Sequence, residues 1–196
     1  MLKKVVFLDR DGTINRDSHT YIKSRAEFEF LPGSLEAISI LSRAGFVNIV
    51  ITNQSALPRQ LISIDELESI HELMARAALE HGGEIMDVFY CPHMPADGCD
   101  CRKPEPGLIV QAREKYAIDL TAAVMVGDSV KDIECARRAG CGQAVLVQSG
   151  LDDGVEDELA ARQIRVDYVA PDLQAAADWI VEHWRPAAAA RIRDSK

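Results

Sequence analysis

The feature that most constrains this chain is a repeated unit: a short apolar run with β-branched members that stops abruptly at a carboxylate, a hydroxyl or a glycine. The first such run is Val5-Val6-Phe7-Leu8, followed at once by Asp9-Arg10-Asp11-Gly12-Thr13. A strand that is apolar on both faces belongs inside a parallel sheet covered by helices. Similar runs recur at Phe46 to Ile51, Ile85 to Tyr90, Ala122 to Val126 and Ala144 to Val147, with a last short strand expected over Arg165 to Val169. Segments of helical periodicity separate them. Leu35, Ile38, Leu41 and Ser42 form one stripe, opened by Ser34 as a candidate N-cap and closed by Gly45. Ser63 to His81 carries an apolar face, and Ser63 with Glu66 has the spacing of a capping box. Further helices are read over Gly107 to Ala117, up to Arg138 before Ala139-Gly140, and over Pro171 to Trp184. This alternation predicts an α/β fold with a Rossmann-like parallel sheet flanked by helices. Residues 1–184 are expected to form one domain, and 185–196 a mobile or frayed tail without apolar pattern.

In an open α/β sheet, ligands bind outside the carboxyl ends of the strands. The polar residues that end each run are therefore candidates for chemistry. Asp9 and Asp11, at alternate positions, can converge on one Mg²⁺, although a strand-end Asp and an Asp-Gly turn account for the same residues. Thr52, Asn53, Gln54 and Ser55 can donate to phosphate oxygens, and such clusters also form ordinary loops. Asp128 and Asp132 fit a metal site and its surroundings, or acids favoured by a helix N-terminus. Arg102 and Lys103 fit a phosphate, or a solvated basic pair. The polar stretch from Ile14 to Phe30 is too long for a tight turn. His71 and His81 are read as solvated helix residues, and Cys135 and Cys141 as buried fillers.

Cys91, His93, Cys99 and Cys101 lie within eleven residues of a Pro/Gly-containing loop. They supply a complete Cys₃His set for tetrahedral zinc, and four protein ligands leave no open position, so a structural Zn²⁺ is expected. Its effect would be to fold a loop with little core of its own. The chain has 22 basic and 31 acidic residues, a net charge of −9, which argues against a nucleic-acid backbone as partner. No run approaches the ~18 apolar residues of a membrane span, and no signal-peptide core precedes the first strand, so a cytoplasmic protein is expected.

Asp9-x-Asp11-Gly12-Thr13, Thr52, Lys103-Pro104 and Gly127-Asp128-x-x-x-Asp132 occur in order, and the set resembles the four motifs of the haloacid dehalogenase (HAD) superfamily of phosphohydrolases. The resemblance covers roughly the first 150 residues. It implies Asp9 as nucleophile, Asp11 as general acid/base, and Mg²⁺ held by Asp9, the Asp11 backbone carbonyl and Asp128, with Asp132 behind them. Thr52 and Lys103 would hold the phosphoryl oxygens. Asp-Arg-Asp-Gly-Thr, Thr-Asn-Gln-Ser and Cys-Pro-His…Cys-x-Cys-Arg-Lys-Pro further resemble the branch of heptose bisphosphate phosphatases and histidinol phosphatases. The Pro104-Glu105-Pro106-Gly107 continuation and Leu31-Pro32-Gly33-Ser34-Leu35 look like the heptose enzymes. The implied reaction is removal of the 7-phosphate from D-glycero-D-manno-heptose 1,7-bisphosphate in lipopolysaccharide precursor synthesis. Histidinol phosphate or another small phosphomonoester is the alternative, and a catalytically silent, zinc-stabilised binding module a third. In this branch Arg102 helps select substrate, and residues around Asp17, Ser18 and Tyr21 line the sugar pocket, with Asn53, Gln54, Ser55 and Arg59 as further candidates. The partner is thus a small phosphorylated sugar, met by a monomer without a large cap domain. One departure stands out: Ala56-Leu57-Pro58-Arg59-Gln60 lacks both glycines common in the heptose enzymes, which puts the shape of that loop in question.

Overall fold

The computed structural model describes residues 4–185. Strands β1 (Lys4–Leu8), β2 (Phe46–Asn53), β3 (Ile85–Cys91), β4 (Val124–Gly127), β5 (Gln143–Val147) and β6 (Tyr168–Ala170) form one sheet in the order β3-β2-β1-β4-β5-β6. Every neighbouring pair is parallel. The helices are α1 (Ser34–Arg43), α2 (Ile64–Glu80), α3 (Gly107–Tyr116), α4 (Val130–Ala139), α5 (Val155–Ala161) and α6 (Leu173–His183).

The inner strands β1, β2, β4 and β5 are buried on both faces because alternate residues feed two cores, while the edge strands β3 and β6 are half-buried. Val6, Leu8, Val50, Val126 and Val145 point to one side, where they meet Ile38 and Leu41 of α1, Leu67, Ile70 and Met74 of α2, and Ala176 and Ile180 of α6. Val5, Phe7, Ile51, Met125 and Leu146 point to the other, against Leu108 and Ile109 of α3, Ile133 and Ala136 of α4, and Leu159 of α5. The result is the expected α/β sandwich. Each large aliphatic side chain buried this way contributes about 1.5–3 kcal/mol.

Strand order fixes where a site can form. The chain moves outward from β1 through β2 to β3, then returns to the far side of β1 and moves outward again through β4 to β6. The reversal falls between β1 and β4, and there the loops leaving the two strands diverge to open a crevice. Leu8 pairs with both Val50 and Val126, and the Asp9 N–H donates to the Val126 carbonyl at 2.9 Å, so the carboxyl ends of β1, β2 and β4 stand level.

Several local expectations need correction. Ser34 does not cap α1: Gly33, at φ 77°, holds that position, and Ser34 is the first helical residue with its hydroxyl buried and unpartnered. Ala122, expected to open β4, instead closes a 3₁₀ turn over Leu120–Ala122 that the Asp119 side chain caps by accepting from the Thr121 N–H, and β4 begins at Val124. The last strand begins at Tyr168, not Arg165. Helix α5 went unread; only Leu159 of its seven residues is buried, so it carries almost no periodic signal. His81 is exposed as expected, but His71 is not solvated: it lies on the buried face of α2 with Leu67, Ile70 and Met74. The stretch from Ile14 to Phe30 is pinned at both ends, with the Leu31 N–H on the Ile14 carbonyl (3.0 Å) and the Arg16 N–H on the Glu29 carbonyl (2.8 Å), and it sends Ile14, Ile22 and Phe28 into the core. The tail expected over 185–196 lies outside the described residues apart from Arg185. Among the described residues, no helix is long and apolar enough to cross a membrane.

Candidate active site

Asp9 leaves β1 and Asp128 leaves β4, so the two adjacent strands at the reversal each place one carboxylate in the crevice. Asp132, in the first turn of α4, completes a group of three carboxylates whose nearest oxygens all lie within 4.8 Å of one another. Lys103 enters between them. Its Nζ lies 2.6 Å from Asp9 Oδ1 and 2.6 Å from Asp132 Oδ1, and donates to the Ile51 carbonyl at 2.9 Å. Burial works against its charge, but Asp132 and Asp9 outweigh burial and push the lysine pKa above its ordinary value. One cation does not neutralise three buried acids. Burial, relieved in part by Lys103, raises Asp9 from 3.8 to about 7. Burial and the charges of Asp132 and Asp9 raise Asp128 to about 9. Asp132 is otherwise committed to Ser129, whose N–H and hydroxyl donate to its Oδ2 at 3.1 and 2.6 Å. Asp9 and Asp128 are thus the acids with oxygens to spare, and a hard, oxygen-preferring cation fits them.

The Asp128 carboxylate sits in a slot made by two glycines. A Cβ on Gly12 would lie 2.4 Å from its Oδ2, and one on Gly150 only 2.1 Å away. Ser149 ties the two loops together by donating its hydroxyl to the Gly12 carbonyl at 2.7 Å.

Asp11 faces the same crevice from the other side of Asp9. Its Oδ1 accepts from Arg10 Nη2 (2.9 Å), Arg10 Nε (3.2 Å) and Asn15 Nδ2 (3.0 Å), and its Oδ2 from Gln54 Nε2 (3.0 Å). Burial alone would raise this carboxyl, but the Arg10 guanidinium and these donors hold it below the usual range. Gln54 Nε2 also donates to Thr52 Oγ1 at 2.9 Å, so the second-strand Thr is oriented by its own loop. Asn53 faces Lys103 instead: its amide donates to the Lys103 carbonyl (3.2 Å) and accepts from the Lys103 N–H (3.0 Å).

These groups surround a cavity of about 230 Å³. Of the residues read as binding candidates, Asp17, Ser18, Tyr21, Asn53, Gln54, Ser55 and Arg102 line it. Arg59 does not; its guanidinium stands 5.7 Å from the centre of the Tyr21 ring, behind the wall. The altered 56–60 loop does not line the cavity itself; it bears on it through Tyr21 and through Gln54, whose carbonyl accepts from the Leu57 N–H at 3.3 Å, and Gln60 takes a glycine-like φ of 59°. Arg10, Ser129, Lys131 and Asp152 also line the cavity and were not singled out in the sequence. Among the described residues no acid pairs with Arg102 or Lys131.

The wall beside Arg102 is the Cys/His loop. The separations are Cys91–Cys99 3.7 Å, Cys91–Cys101 3.2 Å and Cys99–Cys101 3.6 Å between sulfurs, and 3.5 and 3.2 Å from His93 Nδ1 to Cys91 and Cys101. No pair is bonded as a disulfide. Donors held tetrahedrally at ~2.0–2.3 Å from one ion would lie roughly 3.3–3.8 Å apart; three of these separations fall in that range and the two at 3.2 Å just below it, so the four could close on a single tetrahedral metal ion with Nδ1 as the imidazole ligand. Arg102 Nη1 donates to the His93 carbonyl at 3.1 Å, which fastens the cation to this loop.

A HAD-hydrolase-like family model matches residues 100–176. The D-glycero-beta-D-manno-heptose-1,7-bisphosphate 7-phosphatase of Pseudomonas aeruginosa is 47% identical over 150 residues, covering 76% of this chain and 84% of the relative. That of Bordetella bronchiseptica is 42% identical over 169 residues, 81% of this chain and 94% of the relative. The crystal structure of D,D-heptose 1,7-bisphosphate phosphatase from B. bronchiseptica, complexed with magnesium and phosphate, superposes with a TM-score of 0.84 at 40% identity, covering 91% of this chain and 98% of that one. With the strand-end carboxylates, the buried lysine and the fold all in agreement, the chain belongs to the D-glycero-D-manno-heptose-1,7-bisphosphate 7-phosphatase family of HAD-type phosphoric monoester hydrolases.

Proposed function

We propose that this protein removes the 7-phosphate of D-glycero-D-manno-heptose 1,7-bisphosphate, with Mg²⁺ at the carboxylate cluster and structural Zn²⁺ at the Cys/His loop, in the cytoplasm. The observation that carries the reading is the convergence of Asp9, Asp128 and Lys103 at the β1/β4 reversal, beside a loop that presents Arg102 to the same cavity.

Asp11, held ionised in the free protein by Arg10 and its amide donors, takes up a proton as the phosphomonoester anion comes against it. Asp9 then attacks phosphorus, the bond to the sugar oxygen breaks, and Asp11 gives that proton to the oxygen. The products of this half are the heptose hydroxyl and an aspartyl-phosphate. Water then attacks the phosphorus and passes a proton to Asp11, the Asp9–phosphorus bond breaks, and inorganic phosphate leaves with Asp9 restored. Thr52 and Lys103 hold the phosphoryl oxygens. Mg²⁺ held by Asp9, Asp128 and the Asp11 carbonyl supplies positive charge between the carboxylates and the phosphoryl group. The raised proton affinity of Asp9 and Asp128 supports this assignment, because such acids gain most from a cation. Asp132 acts on Lys103 and Ser129 rather than on the metal. Arg102, Asp17, Ser18 and Tyr21 meet the sugar and its second phosphate, and residues 1–184 act as one domain whose walls are the 9–33 loop and the Cys/His loop.

The test is phosphate release with Mg²⁺ from the heptose bisphosphate and from histidinol phosphate, side by side. Preference for the heptose bisphosphate, abolished by Asp9→Asn, is expected. Preference for histidinol phosphate would overturn the substrate and leave the mechanism standing.

A further inference from the structure

Arg10 is among the largest side chains in the molecule that are wholly buried, with 1% exposure. A buried guanidinium must place its N–H groups, since each one left unpaired costs about 1–3 kcal/mol or more. Nε and Nη2 are spent on the same oxygen of Asp11. Nη1 donates to His71 Nε2 at 3.3 Å. Arginine cannot accept, so the imidazole is the acceptor, in the neutral form with its proton on Nδ1.

His71 comes from α2, 61 residues from Arg10. It is held there by the buried helix face of Leu67, Ile70 and Met74, and its ring tilts against Tyr90 of β3 at 5.8 Å between centres. The chain around Asp11 is, by contrast, a turn, with Gly12 at φ 84°. The guanidinium thus joins a rigid helix to a carboxylate on a bend. Arg10 and Asn15 occupy Oδ1, so Oδ2, which among the described residues meets only the Gln54 amide, is the oxygen with capacity to spare for a ligand in the cavity.

We propose that His71, acting through Arg10, is a positioning residue that fixes the Asp11 carboxyl for proton transfer to the leaving oxygen. The proposal rests on the reading of Asp11 as the acid. A 1 Å displacement of such a group costs on the order of 10²-fold. A histidine that merely filled the core would give a different result: its loss would slow every substrate alike.

The experiment compares kcat/KM for an alkyl ester, glycerol 2-phosphate, with that for p-nitrophenyl phosphate, whose phenolate leaves without a proton. The protein is used with its metals bound. In His71→Leu the alkyl-to-aryl ratio is expected to fall ~10–100-fold, within the range that proton transfer contributes. His71→Gln, whose amide oxygen reaches Nη1, restores the ratio, and His71→Asn, one methylene shorter, does not. Asp11→Asn is the reference, and it should show the same selective loss or a larger one. If Asp11→Asn is selective and His71→Leu slows both substrates equally, His71 is structural and the proposal falls alone. If Asp11→Asn is not selective, the acid role of Asp11 falls and takes the proposal with it. Should His71→Leu not fold, the Gln and Asn variants decide: a ratio equal to wild type in both overturns the proposal, and a selective loss in Asn repaired in Gln upholds it.

Discussion

Two groups of metal-capable side chains stand side by side at one end of the sheet, and they are built in opposite ways. The Cys/His group is soft and local: four donors within eleven residues, on a loop whose Pro95, Ala96, Asp97 and Gly98 are exposed. The carboxylate group is hard and non-local: Asp9 and Asp128 are 119 positions apart in the sequence and meet because β1 and β4 pair. Cys91 and Cys101 anchor the loop to the core, but its exposed tip adds no apolar contacts, so a bound metal would supply most of what folds the segment between them. The carboxylates are already in place at the ends of the buried inner strands β1 and β4, and Lys103 alone does not compensate their charge. On the proposed reading, metal would make the first site and relieve the second.

The sharpest way to break this contrast is to remove a charge from the hard site. Asp9→Asn is expected to lower kcat by on the order of 10⁴-fold or more, as loss of a covalent nucleophile does. Its metal content at the Cys/His loop, measured by elemental analysis, should be unchanged. Loss of that metal in Asp9→Asn would mean that the two sites are one structural unit.

The reciprocal change is Cys101→Ser. It is expected to abolish metal at the loop and lower stability by about 3–4 kcal/mol, a fall of ~10 °C in melting temperature by calorimetry. Activity should suffer through KM, because Arg102 is fastened to the His93 carbonyl and loses its position with the loop. A melting temperature equal to wild type would show that the loop folds without its ion.

The same contrast explains what could be read from the chain. The Cys/His set is legible because its donors are neighbours in sequence. Asp9, Asp11, Thr52, Lys103 and Asp128 are legible because each follows an apolar run or precedes a helix, and the strand ends that carry them are brought level by register. What sequence could not supply is contact between elements that pack rather than pair. His71 follows Leu67 by four and precedes Met74 by three, so periodicity alone put it at the edge of the buried stripe, and that signal was available. Its partner, Arg10, was not. Gly150 was equally silent, since nothing in Gln148-Ser149-Gly150 announces that a carboxylate from another strand lies against it. Ser34 misled because a hydroxyl before an apolar stripe reads as a cap, while the preceding glycine had already made the turn.

Electrostatic relief has its own signature. Asp9 and Asp128 bind protons more tightly in the folded chain, at about 7 and about 9 against an ordinary 3.8. Below about pH 4 both states are protonated and the site carries no penalty. As pH rises, the unfolded chain ionises first, so stability falls until the pH passes the folded values. Without Mg²⁺, the melting temperature should therefore be lower at pH 9 than at pH 5, by on the order of 10 °C or more. Mg²⁺ should flatten that slope, and so should Asp128→Asn. Dialysis without chelator keeps the loop metal in place. A stability that rises with pH over this window would contradict the charge assignment.

The smallest expected effect tests the placement of one carboxylate. Asp128 Oδ2 is gripped between Gly12 and Gly150, and the gap at Gly150 is one of space alone, since its backbone is not in the left-handed region. Gly150→Ala therefore displaces Asp128, its Cβ at 2.8 Å as well as its carboxylate, with no left-handed backbone penalty at 150 itself. Mg²⁺ affinity by titration calorimetry is expected to weaken by about tenfold, the lower end of what displaced supports of metal ligands cost. The matched control is Gly98→Ala in the Cys/His loop. There the backbone is left-handed, at φ 63°, and a Cβ meets nothing within 4 Å. That change strains the loop and should leave Mg²⁺ affinity where it was, as two independently built sites require. Unchanged Mg²⁺ binding in Gly150→Ala would mean that the carboxylate has room to move, and that the sheet alone, not the grip of the two glycines, sets where the metal sits.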